Sequence, residues 1–111
     1  MPSKSKAKGN RFERECVKIA KEYGLESKRA WGSDGRSLGL DPEVDMLIEN
    51  YTVQCKVRKR IASWIKPTEE LGETHLQLVK ESRGNIYAII SMKELLRMMV
   101  ELKTLTKEKV S

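Results

Sequence analysis

Asp45, Gln54 and Lys56 are an acid, an amide and an amine set on either side of one short connection, Glu49-Asn50. Two apolar runs, 44–48 and 51–57, meet at that connection, which is the pattern of a tight antiparallel hairpin. Strand side chains alternate faces, so Thr52, Gln54 and Lys56 share one face of the second run while Val53, Cys55 and Val57 share the other. In the first run Val44, Met46 and Ile48 point one way, and Glu43, Asp45 and Leu47 the other. Pairing the runs brings Asp45, Gln54 and Lys56 together at the mouth of a sheet. Carboxylate and amide oxygens suit a hard divalent cation, and an ammonium group suits a phosphate.

Pro42, Glu43 and Asp45 followed by Gln54-Cys55-Lys56 resemble the signature of the PD-(D/E)XK nuclease superfamily, with Gln54 where a second acid is usual. The Gln-x-Lys form is similar to that of Mrr-type restriction nucleases. Lys8-Gly9, Phe12-Glu13-Arg14-Glu15, Arg29-Ala30-Trp31-Gly32-Ser33 and Val44-Asp45 resemble, in order and spacing, the archaeal Holliday junction resolvases and their viral relatives. The resemblance spans roughly residues 8–60 and implies an α/β fold, a mixed central sheet flanked by helices in the order αβββαββα. It implies a Mg²⁺-dependent DNA endonuclease, with Mn²⁺ as a substitute ion, whose catalytic set is Glu13, Asp45, Gln54 and Lys56. Glu13, Asp45, Gln54 and the Cys55 carbonyl would hold the cation, and Glu43 would supply a further carboxylate from the Asp45 strand face. Paired cuts on opposed strands require two sites, hence a homodimer. Two other functions stand beside this one: an Mrr-like or repair nuclease acting on duplex, and a DNA-binding module with a decayed site, which Gln54 favours.

Charge points to the same partner. Lys+Arg number 22 against 16 Asp+Glu, a net charge of +6 in 111 residues, and the excess is clustered. Lys4, Lys6, Lys8 and Arg11 form an amino-terminal arm, and Lys56, Arg58, Lys59 and Arg60 follow the hairpin directly. Such clusters favour a polyanion; the bland reading is a solvated surface. Lys8, Arg11, Arg14, Arg29, Ser33, Arg36, Arg58, Lys59 and Arg60 are the candidate DNA contacts. No apolar stretch approaches the ~20 residues of a membrane span, and residues 1–10 lack the apolar segment of a signal peptide. Cys16 and Cys55 read as buried thiols of a cytoplasmic protein, not as metal ligands. The lone His75 anchors no zinc site.

The surrounding elements follow from punctuation and period. Residues 1–9 read as a flexible basic arm, 10–105 as one domain and 106–111 as a polar tail. Asn10 is expected to cap a helix running to Tyr23 and stopped by Gly24, with Phe12, Cys16, Ile19, Ala20 and Tyr23 as its buried stripe. Glu13 lies at the edge of that stripe, either closing a capping box with Asn10 or reaching a metal. A strand over 25–30 precedes a Gly-rich loop over 31–42, read as functional or as a disordered surface loop. Ile61, Trp64 and Ile65 have helical spacing, with Trp64 as core or against DNA, and a short helix starts at Pro67. Strands over 76–79 and 86–90 flank a turn at 82–85. Ser91 and Glu94 open the last helix, whose inner face reads as Met92, Leu95, Leu96, Met99 and Leu102. Met98, Val100 and Leu105 widen its apolar arc, a sign of a subunit interface.

Overall fold

Helix α1 (Lys4–Glu22) begins six residues before Asn10, because Lys6, Ala7 and Lys8 are good helix formers and carry the helix upstream. Asn10 is therefore an interior residue and closes no capping box with Glu13; its Oδ1 accepts a hydrogen bond from the Arg29 guanidinium at 3.3 Å. The helix ends as its sequence foretells. Gly24 takes a left-handed φ of 83°, its N–H donates to the Lys21 carbonyl, and the Leu25 N–H reaches back to Ala20. This pair of bonds satisfies the last carbonyls and folds buried Leu25 over buried Ala20. The computed structural model describes residues 4–66 and 76–110, apart from the side chains of residues 4–6, 33 and 108–110.

Strands β1 (Ser27–Arg29), β2 (Met46–Ile48) and β3 (Tyr51–Val53) form an antiparallel sheet in that order. Ser27 pairs with Ile48 and Arg29 with Met46; Met46 pairs with Val53 and Ile48 with Tyr51. The link is the expected two-residue turn, with Glu49 at a φ of 53°. Glu49 is tied down by its Oε2, which accepts the Glu26 N–H at 2.7 Å. All three strands are shorter than expected over 25–30, 44–48 and 51–57. α1 packs on β1 and β2, and Cys16, Ala20, Leu25, Ala30, Met46 and Ile48 are the buried apolar side chains there. Complete burial of a Met-sized side chain such as Met46 contributes about 1.5–3 kcal/mol.

The chain divides into two compact units, Met1–Arg58 and Lys59–Ser111, and the division falls inside the span 10–105 that reads as one domain. The second unit holds a 3-10 turn (Ser63–Ile65), the hairpin of β4 (Leu76–Lys80) and β5 (Ile86–Ile90), and helix α2 (Met92–Val110). Leu76 pairs with Ile90 and Lys80 with Ile86. The Glu94 N–H donates to Ser91 Oγ at 3.3 Å, the expected cap. Trp64 is exposed and so is not core; its carbonyl accepts from Gln77 Nε2.

The molecule is α/β. Among the described residues its strands pair in two antiparallel sheets, with no parallel ladder of the kind a mixed sheet contains. The expected helix from Pro67, and His75, lie outside the described residues. Along α2, Leu96 and Met99 are buried and Met92 half-buried, whereas Leu95 and Leu102 turn outward. Val100 is half-buried, so the outer apolar stripe is Leu95, Met98, Leu102 and Leu105.

Candidate functional site

Asp45 sits where the sheet departs from regular pairing. Its N–H donates to the Val53 carbonyl at 2.9 Å, although the ladder pairs Val53 with Met46. Two residues of one chain segment thus oppose one of the other, which is a β-bulge, and a bulge re-aims the side chain it carries. The Asp45 carboxylate consequently reaches along the hairpin, where its Oδ2 accepts the Cys55 N–H at 2.7 Å. That bond replaces a ladder bond and ends β3 at Val53, four residues short of the apolar run. A charge-assisted bond of this kind fixes the carboxylate more firmly than a neutral one would.

Glu13 approaches the same point from α1. It is the one buried charged side chain among the described residues, 4% exposed, and its Oε1 lies 3.7 Å from Arg29 Nε. The Arg29 Nε is buried with no hydrogen-bond partner, so the pair is an ion pair of opposite charges and not a hydrogen bond. Cys16 on α1 and Cys55 are near enough that each thiol bears on the other's ionisation. Burial first, then Cys16 and the charge of Asp45, and more weakly that of Glu13, push the Cys55 thiol up to about 12. Burial likewise raises Cys16. Both thiols are therefore neutral near pH 7, which suits packing groups better than thiolate ligands.

The remaining candidates differ in exposure and local structure. Gln54 and Lys56 are exposed, and Cys55 is half-buried. Glu43 does not share a strand face with Asp45. Pro42 and Glu43 form a turn in which the Val44 N–H donates to the Asp41 carbonyl and the Glu43 N–H to Asp41 Oδ1 at 3.0 Å, leaving Glu43 exposed ahead of β2. An Asp-Pro pair favours such a turn through its side-chain oxygen and fixed φ, a signal the alternation pattern overrides. Among the described residues no three His, Cys, Asp or Glu side chains gather in a metal-holding group. Lys8, Arg11, Arg14, Arg58, Lys59 and Arg60 are exposed; Arg29 is half-buried and braces Glu13 and Asn10. The Ser33 side chain lies outside the described atoms.

The Gly-rich loop has regular local structure. It forms two 3-10 turns, Trp31–Ser33 and Gly35–Leu38. Asp34 caps the second through the Arg36 N–H, and its carboxylate pairs with the Arg36 guanidinium at 2.6 Å. Those hydrogen bonds hold the Asp34 carboxyl below its usual range. A methyl group at Gly35 would run into the Asp41 carbonyl oxygen and come within 2.8 Å of Val44 Cβ. Gly35→Ala is thus expected to cost about 1–3 kcal/mol, the scale of overpacking, and a melt within a degree of the parent would contradict this packing.

A family model described as archaeal Holliday junction resolvase (Hjc) matches residues 4–111. The chain belongs to the archaeal Holliday junction resolvase family. Its match runs well beyond residue 60, where the motif resemblance stops, and takes in both compact units. No curated protein and no solved structure matched the chain. Membership in this resolvase family supports an endonuclease acting at DNA junctions, and no helix of the described residues is long and apolar enough to cross a membrane. Sequence reasoning missed two features of the site: the Cys16–Cys55 contact and the brace of Arg29 on Glu13. Neither has a local signature, since each joins α1 to a segment at least sixteen residues away.

Proposed function

We propose that the chain is a Mg²⁺-dependent endonuclease that cuts four-way DNA junctions as a homodimer, with Mn²⁺ able to replace Mg²⁺. The observation that carries the reading is the Asp45 carboxylate, held at 2.7 Å by the Cys55 amide beside a thiol that also feels the charge of buried Glu13. The donor set fits a hard cation: two carboxylates, the Gln54 amide oxygen and the Cys55 carbonyl are all oxygen donors. With so few protein carboxylates, waters and phosphate oxygens would fill the rest of the shell, as Mg²⁺ prefers. When bound, the ion lowers the pKa of a water and offsets phosphate charge. Asp45 and Glu13 would hold the ion, Arg29 keeps Glu13 in place, and Lys56 would offset charge building on the attacked phosphate. Lys8, Arg11, Arg14, Arg58, Lys59 and Arg60 contact the DNA backbone, while Arg36 joins them only by leaving Asp34.

The rival, a binding module without cleavage, draws on Gln54 at the acid position. Incubating plasmid, linear duplex and a synthetic four-way junction with Mg²⁺, Mn²⁺ or EDTA separates the readings. Junction cutting with either ion and none in EDTA supports the resolvase. Equal cutting of duplex supports an Mrr-like or repair nuclease, and binding without cutting supports the module.

Gln54→Glu is expected to lower the Mg²⁺ needed for half-maximal cutting by about tenfold, or ~1.4 kcal/mol, because a carboxylate binds a hard cation better than an amide does. An unchanged Mg²⁺ titration would remove Gln54 from the ligand set.

The dimer reading draws on Leu95, Met98, Leu102 and Leu105, whose exposed side chains recur at spacings of three and four along α2, the seam of a helix pair. Met98, 53% exposed, is the position to test. Met98→Lys should leave the fold within about 0.5 kcal/mol yet convert dimers to monomers by light scattering, with paired cuts giving way to nicks. A parent that scatters as a monomer and still makes paired cuts would sink this interface.

A further inference from the structure

We infer that Trp31 is a stacking platform for an unpaired nucleobase next to the scissile phosphate, an inference that rests on the nuclease reading above. Trp31 is 86% exposed, yet the backbone that carries it is fixed on both sides. Its N–H donates to Ser37 Oγ at 2.8 Å, its carbonyl accepts the Asp34 N–H at 3.1 Å, and Ser37 Oγ closes the ring by donating to the Asp34 carbonyl at 3.0 Å. A large indole held out in water by a stapled loop gains nothing for the fold. It is preorganised for a partner, because little backbone entropy remains to be lost on contact.

Its position selects the partner. The residue before it, Ala30, donates its N–H to the Asp45 carbonyl at 2.9 Å, so the Trp31 Cα lies within about 9 Å of the Asp45 Cα. A strand whose phosphate lies at Asp45 therefore passes close to the backbone that carries Trp31. Exposed Lys28 stands three residues before Trp31, and an aromatic face interleaved with cations is how proteins hold single-stranded nucleic acid without reading its sequence. In continuous duplex the bases are stacked on each other and hidden from such a face. At a branch point or gap the run of stacking is interrupted and a base is drawn out at lower cost, so Trp31 favours branched or gapped DNA over intact duplex.

The test uses the full chain carrying Trp64→Phe, which leaves Trp31 as the only tryptophan, with Ca²⁺ in place of Mg²⁺ so that binding is read without cutting. The probes are a four-way junction with 2-aminopurine at the branch point, oligothymidine, and continuous duplex. Trp31 emission should be quenched by the junction and by oligothymidine but little by duplex. Trp31→Ala should weaken junction binding about 5- to 150-fold, the scale of one stacked base, and leave duplex binding within about twofold, while Trp31→Phe keeps most of it. Circular dichroism of both variants should match the parent, as the side chain is exposed. Equal junction affinity for Trp31→Ala and parent, or equal losses on junction and duplex, would overturn the inference. So would emission that responds to protein concentration and not to DNA, which would make Trp31 a contact between copies. Failure of the nuclease reading looks different: Trp31 quenching survives while the parent leaves every DNA uncut in Mg²⁺.

Discussion

Asp45→Asn is expected to lower junction cleavage by at least ~10²-fold, the scale of removing one positioned charge or donor from a reacting centre, while leaving the melting temperature and DNA affinity nearly unchanged. The substitution keeps the shape of the side chain and an oxygen able to accept the Cys55 N–H. The bulge at Asp45 and Met46 needs only backbone groups, so the hairpin survives. What disappears is the negative charge on which the proposed cation site depends. Cleavage by Asp45→Asn at the parental rate would remove Asp45 from the chemistry. A melt several degrees lower would mean that the carboxylate is a structural brace.

Glu13→Gln should behave differently, losing cleavage on a similar ~10²-fold scale and also stability, by about 1–3 kcal/mol. Glu13 is buried and stands 3.7 Å from an Arg29 whose Nε has no hydrogen-bond partner. Neutralising the acid leaves a half-buried guanidinium without its counter-charge. The cost stays below that of a fully buried pair because the Arg29 side chain is 26% exposed and keeps its bond to Asn10. A second substitution isolates the two effects: Arg29→Gln in the Glu13→Gln background should recover part of the lost stability without recovering cleavage. Recovery of cleavage alongside stability would show that Glu13 serves the fold alone.

These two acids also show how far the sequence could be read. Period and punctuation located α1, its buried stripe, the Gly24 stop, the hairpin at Glu49-Asn50 and the Ser91 cap, because each depends on residues within a few positions of one another. Alternation placed Asp45 beside the second strand but carried β3 on to Val57, since a bulge leaves no trace in apolar periodicity. The same rule set Glu43 on the Asp45 face, where Asp41-Pro42 instead turns the chain. Asn10 looked like a cap because its type is common there, yet Lys6, Ala7 and Lys8 extend the helix past it. On α2 apolar residues occupy more than one face, so period alone could not tell that Leu95 and Leu102 point outward. Arg29 read as a DNA contact from its charge and motif, whereas its distance to Glu13 is a long-range fact that only the fold supplies.

The role of Asp45 in metal-dependent junction cleavage is tested by single-turnover cleavage of one end-labelled four-way junction by the parent and by Asp45→Asn, run side by side in Mg²⁺ and in EDTA. The parent is expected to cut opposed strands near the branch in Mg²⁺ alone, and Asp45→Asn to bind the junction as tightly but cut at least ~10²-fold more slowly. A parent that cuts in EDTA, or an Asp45→Asn that cuts as fast as the parent, would contradict that role.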